Sequence, residues 1–240
     1  MSVTGAGTVG VPRSELADTL LERLTVTYAS AADPERAAPM RAYMKDVAPF
    51  LGLTTPVRRA LSRTVVAGTP RPDEADCTAV ALRCWQLPQR EYHYFAVDYL
   101  RRHVGRCSSA FLPVARHLVT TVSWWDTVDA LAAHVVGGLV AADPELRLDM
   151  DAWIVDDDLW VARTALLHQL RFKDRTDTER LFAYCLRQSG HPDFFVRKAI
   201  GWCLREYAKT DPGAVRAFLA RERGRFAPLA VREALKNIGA

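Results

Sequence analysis

Three short stretches decide the fold: Val161-Ala162-Arg163-Thr164-Ala165, Val196-Arg197-Lys198-Ala199-Ile200 and Val231-Arg232-Glu233-Ala234-Leu235. Each begins 35 residues after the one before. One further step back lands on Asp126 to Ala130, where the likeness is weaker but the pattern is still helical. A period of this length holds two helices per unit, and each pair must cover the apolar face of the next, because one pair alone buries too little. The repeat therefore predicts an all-α fold, an α-solenoid. Such stacks curve and present a concave surface lined by one helix of each pair. Trp125, Asp129, Arg163, Lys198 and Trp202 are expected on that surface.

Outward from the repeat, the rest of the chain reads the same way. No alternating Val/Ile/Thr runs and no Asn-Gly or Asp-Gly hairpin turns occur. Leu16, Leu20, Leu21, Leu24 and Tyr28 recur at helical spacing, which predicts a helix over 13–30. Ala32-Asp33-Pro34 reads as a break, followed by a helix from Met40 to Ala48 and a loop from Pro49 to Thr55. Pro56 suits the first turn of a helix reaching Val66. Further helices are predicted over 73–86, 91–103, 111–120, 124–139, 149–154, 158–172, 178–188, 194–209, 212–221 and 228–238. Residues 1–12 are expected to be a disordered N-terminal segment and 13–240 a single domain.

Composition narrows the classes. With 240 residues and 49% hydrophobic content the chain can bury a sizeable core. No run of 18 apolar residues appears and no signal peptide opens the chain, which points to a cytoplasmic protein without a membrane span. Five scattered cysteines, an odd number without close pairing, read as reduced core thiols. The net charge of +4 is compatible with nucleic acid without demanding it. The strong excess of arginine over lysine is explained as well by a GC-rich genome as by phosphate contacts.

The most unusual stretch is Ser123-Trp124-Trp125-Asp126-Thr127-Val128-Asp129. Trp125 and Asp129 are four apart and share one helical face, with Trp124 and Val128 on another. A carboxylate beside an indole suits a cationic substrate, since rings attract cations and the anion supplies charge. Taken alone, each residue has a plainer role: Trp85, Trp124, Trp153 and Trp160 as core, Asp129 as a surface carboxylate paired with an arginine, Arg163 and Lys198 as solvated faces. Other chemistries find less. The six histidines form no HxxxH or HExxH pair, no phosphate-cradling GxxxxGK[ST] occurs, and no GxSxG is present. Spacing and composition leave the function open.

The motifs themselves carry a resemblance. Met40-Arg41-Ala42-Tyr43-Met44-Lys45, Phe50-Leu51-Gly52, Thr55-Pro56-Val57-Arg58-Arg59, SWWDTVD at 123–129, Leu159-Trp160-Val161-Ala162-Arg163 and KAIGWCLREYAK at 198–209 resemble, in order, the DNA alkylation repair glycosylases of the AlkD type, built from HEAT-like repeats. The likeness runs from about residue 20 to 238. It implies a curved solenoid whose concave, basic groove binds double-stranded DNA. It also implies hydrolysis of the N-glycosidic bond of positively charged N3- and N7-alkylpurines, without flipping the base into a pocket as most glycosylases do. By the same likeness Asp129 is the catalytic carboxylate, Trp125 and Trp202 flank the deoxyribose, and Arg163 and Tyr43 approach the lesion and its phosphate. Lys45, Lys198 and Arg205 are expected on the DNA backbone. No cofactor or metal is implied, and the partner is alkylated DNA met by a monomer, at the nucleoid when bound. The rival reading is a non-catalytic HEAT-like scaffold binding DNA or protein.

Overall fold

The structure, a computed structural model, describes residues 10–236. Most of the segment expected to be disordered, 1–12, lies outside the described residues. Every regular element among those described is helical. The chain divides after Val122 into two compact units. No helix among the described residues is long and apolar enough to cross a membrane.

The first unit holds α1 (Glu15–Ser30), α2 (Pro34–Tyr43), α3 (Thr55–Val66), α4 (Glu74–Gln86), α5 (Arg90–His103) and α6 (Leu112–Thr120). Ser14 starts α1 by accepting the Ala17 amide at 2.9 Å, the usual service of an N-cap hydroxyl to an orphan N–H. The apolar stripe of α1 buries Leu16, Leu20, Leu24 and Tyr28, and Tyr28 stacks on Tyr92 of α5 with centroids 5.7 Å apart. The helix expected over 40–48 instead begins at Pro34 and ends at Tyr43. Asp33 is its N-cap, accepting from Arg36 N at 3.1 Å, so Asp33-Pro34 is a start signal and not a break. The end is set by Lys45 and Asp46, both left-handed at φ 57.

The loop after α2 is fastened by Glu91, whose fully buried carboxylate accepts from the amides of Leu51 (2.9 Å), Gly52 (2.9 Å) and Leu53 (3.1 Å). Gly52 lies at φ +89, and a Cβ there would come within 2.1 Å of the Asp33 carbonyl oxygen. Only glycine fits that turn.

In the second unit, α7 (Trp125–Ala130) runs through a π-helical turn (Leu131–Val136) into α8 (Gly137–Ala142). It is followed by α9 (Arg147–Trp153), α10 (Leu159–Leu167), α11 (Thr178–Arg187), α12 (Phe194–Tyr207), α13 (Pro212–Glu222) and α14 (Pro228–Leu235). The three repeated stretches fall in α10, α12 and α14. These helices stack in order, α7 on α10, α10 on α12 and α12 on α14, while α9, α11 and α13 pack against them as partners. Val161 and Val196, equivalent in the repeat, are both fully buried. The α12–α14 approach is close: a Cβ on Gly201 would lie 2.5 Å from Glu233 Cβ and 2.8 Å from the Ala230 carbonyl oxygen.

The period also extends further than the sequence reading found. Helices α3, α5, α7, α10, α12 and α14 begin at Thr55, Arg90, Trp125, Leu159, Phe194 and Pro228, each 34 or 35 residues after the last. The 34- or 35-residue spacing of helix starts, expected of an α-solenoid of helical repeats, thus recurs along the sequence of each unit.

Candidate active site

Helix α7 begins where the Trp124 carbonyl accepts the amides of Thr127 (3.2 Å) and Val128 (3.0 Å). One turn later Asp129 lies on the same face as Trp125. From the neighbouring helix α10, Arg163 grips it with both arms: Nε to Oδ1 at 2.7 Å and Nη2 to Oδ2 at 2.8 Å. The remaining Arg163 arm, Nη1, donates to the Phe195 carbonyl at the start of α12. A planar fork matched to a carboxylate fixes the orientation of both groups, which a lysine could not do.

The pair is placed asymmetrically. The Arg163 side chain is 3% exposed and that of Asp129 is 14% exposed, so the guanidinium stands behind the carboxylate and the carboxylate meets solvent. Burial pushes the Asp129 pKa up, against the pull of Arg163, which lowers it. Asp126 adds to the rise and Lys198 opposes it. Behind Arg163 lies an aromatic wall. Trp124, Trp160 and Phe195 meet with centroids 5.7, 4.9 and 5.2 Å apart. Trp160 and Phe195 are one repeat apart, so the wall is itself a product of the period. Of the tryptophans expected in the core, Trp85 and Trp153 are buried, whereas Trp124 and Trp160 are half-buried.

Asp129 opens onto a cleft of about 380 Å³ lined also by Trp125 and Trp202, one from α7 and the other from α12. The spacing argument therefore brings its three central residues to one place. Asp126, His134, Arg171 and Glu206 line the same cleft and were not singled out as site residues by the sequence reading. Two of them carried a signal: Glu206 follows Trp202 by four residues, and His134 follows Asp126 by two such steps. Three carboxylates, Arg171 and His134 share this lining, with Asp129 paired to Arg163 and Glu206 to Lys209. Among the described residues no three His, Cys, Asp or Glu side chains converge as a metal-binding group.

The expected backbone contacts are placed variously. Lys198 is exposed, its Nζ 5.4 Å from the Phe194 ring centroid. Arg205 is held by Glu233 Oε2 at 2.7 Å, so its charge is already matched by α14. Arg163, expected near a phosphate, has its guanidinium committed to Asp129 and Phe195, which makes it first a positioning residue for the carboxylate. Tyr43 and Lys45 belong to the first unit, at the end of α2, where Tyr43 is 71% exposed.

A family model described as DNA alkylation repair enzyme matches residues 25–238 of this chain. A solved structure from Enterococcus faecalis, described as a predicted DNA alkylation repair enzyme, superposes with a TM-score of 0.79 at 32% sequence identity. The match covers 86% of this chain and 96% of that one. No curated protein matches this sequence.

Proposed function

This chain belongs to the DNA alkylation repair enzyme family, and from that premise we propose that it is a glycosylase acting on positively charged N3- and N7-alkylpurines in duplex DNA. The observation that carries the reading is the Asp129 carboxylate, clamped by Arg163 and facing a cleft between Trp125 and Trp202.

Alkylation at N3 or N7 leaves the purine cationic and so already a good leaving group. As the bond from C1′ to N9 breaks, its electron pair goes to the base, which departs neutral, and the positive charge passes to the sugar. A fixed anion beside that sugar is worth more in the transition state than in the ground state, and only such a difference accelerates the step. Asp129 is that anion. Its oxygens are pre-oriented, so no reorganisation is needed as the charge develops. Trp125 and Trp202 present flat π faces to the deoxyribose, where C–H edges and growing positive charge both find favourable contact. Water then adds its oxygen to C1′ and releases a proton, which Asp129 accepts. The chemistry acts at the sugar and leaves the base in its duplex. Lys198, Tyr43 and Lys45 hold the backbone, and the protein works as a monomer.

Purified protein should release 7-methylguanine or 3-methyladenine from methylated duplex DNA with EDTA present. Asp129→Asn keeps the shape of the side chain and removes its charge, so it should cut release by about 10²-fold or more while DNA binding persists. Equal rates for the variant and the parent would overturn the assignment.

A further inference from the structure

The first unit holds a hollow of about 340 Å³ that the reaction above does not use. It lies where the C-terminal ends of α3 and α5 meet the turn that follows α3. Arg63, Arg71, Arg102, His103, Tyr99 and Thr69 are among the residues lining it, and no acidic side chain is.

The hollow gathers its arginines without counter-charge. Four other arginines of the same unit are paired with acids: Arg36 with Asp33, Arg41 with Asp46, Arg58 with Asp98 and Arg83 with Asp18. Arg63, Arg71 and Arg102 are exposed and have no hydrogen-bond or ion-pair partner among the described residues. His103, its ring 4.7 Å from that of Tyr99, has its pKa lowered by burial and then by Arg102 and Arg106. Three like charges gathered without an anion repel one another, and an entering anion relieves that repulsion. Guanidinium forks match the paired oxygens of a phosphate better than any other common biological anion.

We propose that this hollow is a second phosphate-binding site, in which Arg63, Arg71 and Arg102 take the phosphodiester backbone of DNA at a position remote in sequence from the reacting sugar. The inference rests on the reading of the chain as a DNA-acting enzyme but not on the glycosylase step.

The test is the affinity for an undamaged duplex, measured by fluorescence anisotropy over a range of salt concentrations. Each phosphate neutralised contributes about 0.9 to the slope of log K against log salt. Arg63→Gln/Arg102→Gln should make that slope shallower by about two units. Arg221→Gln, an exposed arginine paired with Glu222, should leave it unchanged. Both sites are exposed, and a melting curve like the parent's confirms that the double variant is folded. An unaltered slope in the folded double variant would overturn the proposal. So would pyrophosphate binding that the double variant loses while its duplex slope stays put, because the hollow would then serve a small anion. The two readings separate cleanly: a reduced slope in a protein that releases no base sustains this site and sinks the glycosylase. Failure of the parent to bind duplex at all sinks both.

Discussion

At the scale of single residues, the site turns on one ion pair whose members have unequal tasks. Arg163 touches no solvent to speak of and spends all three nitrogens on Asp129 and Phe195. Its removal leaves a largely buried carboxylate without a partner, which costs about 3–5 kcal/mol where the group stays charged. Asp129 avoids part of that cost by taking up a proton. The sign follows from the causes of its shift: burial already raises its pKa, and Arg163 is the main opposing influence. In the parent enzyme, excision should therefore fall as pH drops through a midpoint above the ordinary carboxylate value of 3.8. In Arg163→Ala that acidic limb should move to still higher pH, with Arg163→Lys in between. A pH–rate profile reads the shift, and identical limbs in parent and variant would remove Arg163 from its positioning role. The sequence made Asp129, Trp125 and Trp202 legible because four-residue spacing and motif content name a face. It also offered Asp129 paired with an arginine, as the structure has it, but did not name Arg163 as that partner, or Glu233 as the partner of Arg205, since such choices depend on which side chain the neighbouring helix offers.

At the scale of elements, close approach is bought with small residues. Helix α12 meets α14 at Gly201, where any side chain would press on Glu233 Cβ and the Ala230 backbone. Gly201→Ala ordinarily favours a helix, yet here the added methyl has nowhere to go. Overpacking of this kind costs about 1–3 kcal/mol, and for a chain of this size that lowers the melting temperature by several degrees. Calorimetry on Gly201→Ala checks this, and an unchanged or raised melting temperature would show that the two helices separate freely. Most helices were readable from periodicity to within a few residues. The exceptions have physical causes. Helix α2 was displaced because Asp33-Pro34 can either end a helix or begin one, and the capping hydrogen bond decides. The helix expected over 158–172 stops at Leu167, followed by a turn that includes Lys173 at φ 54. The π turn at 131–136 left no trace in an apolar sequence that suits either geometry.

At the scale of the whole molecule, the repeat was read from its second half because only there do the residues themselves recur. In the first half the phase survives while the residues drift, as at Arg58, which stands three repeats before Arg163. The buried positions still echo one another: Arg58 is 6% exposed and pairs with Asp98, as Arg163 pairs with Asp129. Stability against acid depends on a different buried group. His168, at the end of α10, is 1% exposed, its Nδ1 2.7 Å from the Ala165 carbonyl, and burial pushes its pKa down to about 4. Below its ordinary value of 6.5 the unfolded chain takes up a proton that the folded one refuses. The folded state should thus lose stability as pH falls from 6.5 toward 4, and gain none from this group above that window. Denaturant melts of the parent and of His168→Gln across that range test the point. The variant should show a flatter dependence whatever its absolute stability, and parallel curves would acquit His168.

The even phase of the helices also dictates which changes in chain length the fold can absorb. Successive residues on a helix point about 100° apart. Loss of one residue between Asp158 and Arg163 would rotate the guanidinium off its carboxylate and turn Val161 out of the core together. Residues gained or lost in the turn between α11 and α12, by contrast, lengthen or shorten a surface loop and leave both helical faces pointing where they did. Insertions and deletions among descendants of this sequence are therefore expected to collect in the turns, and the helices to keep their count.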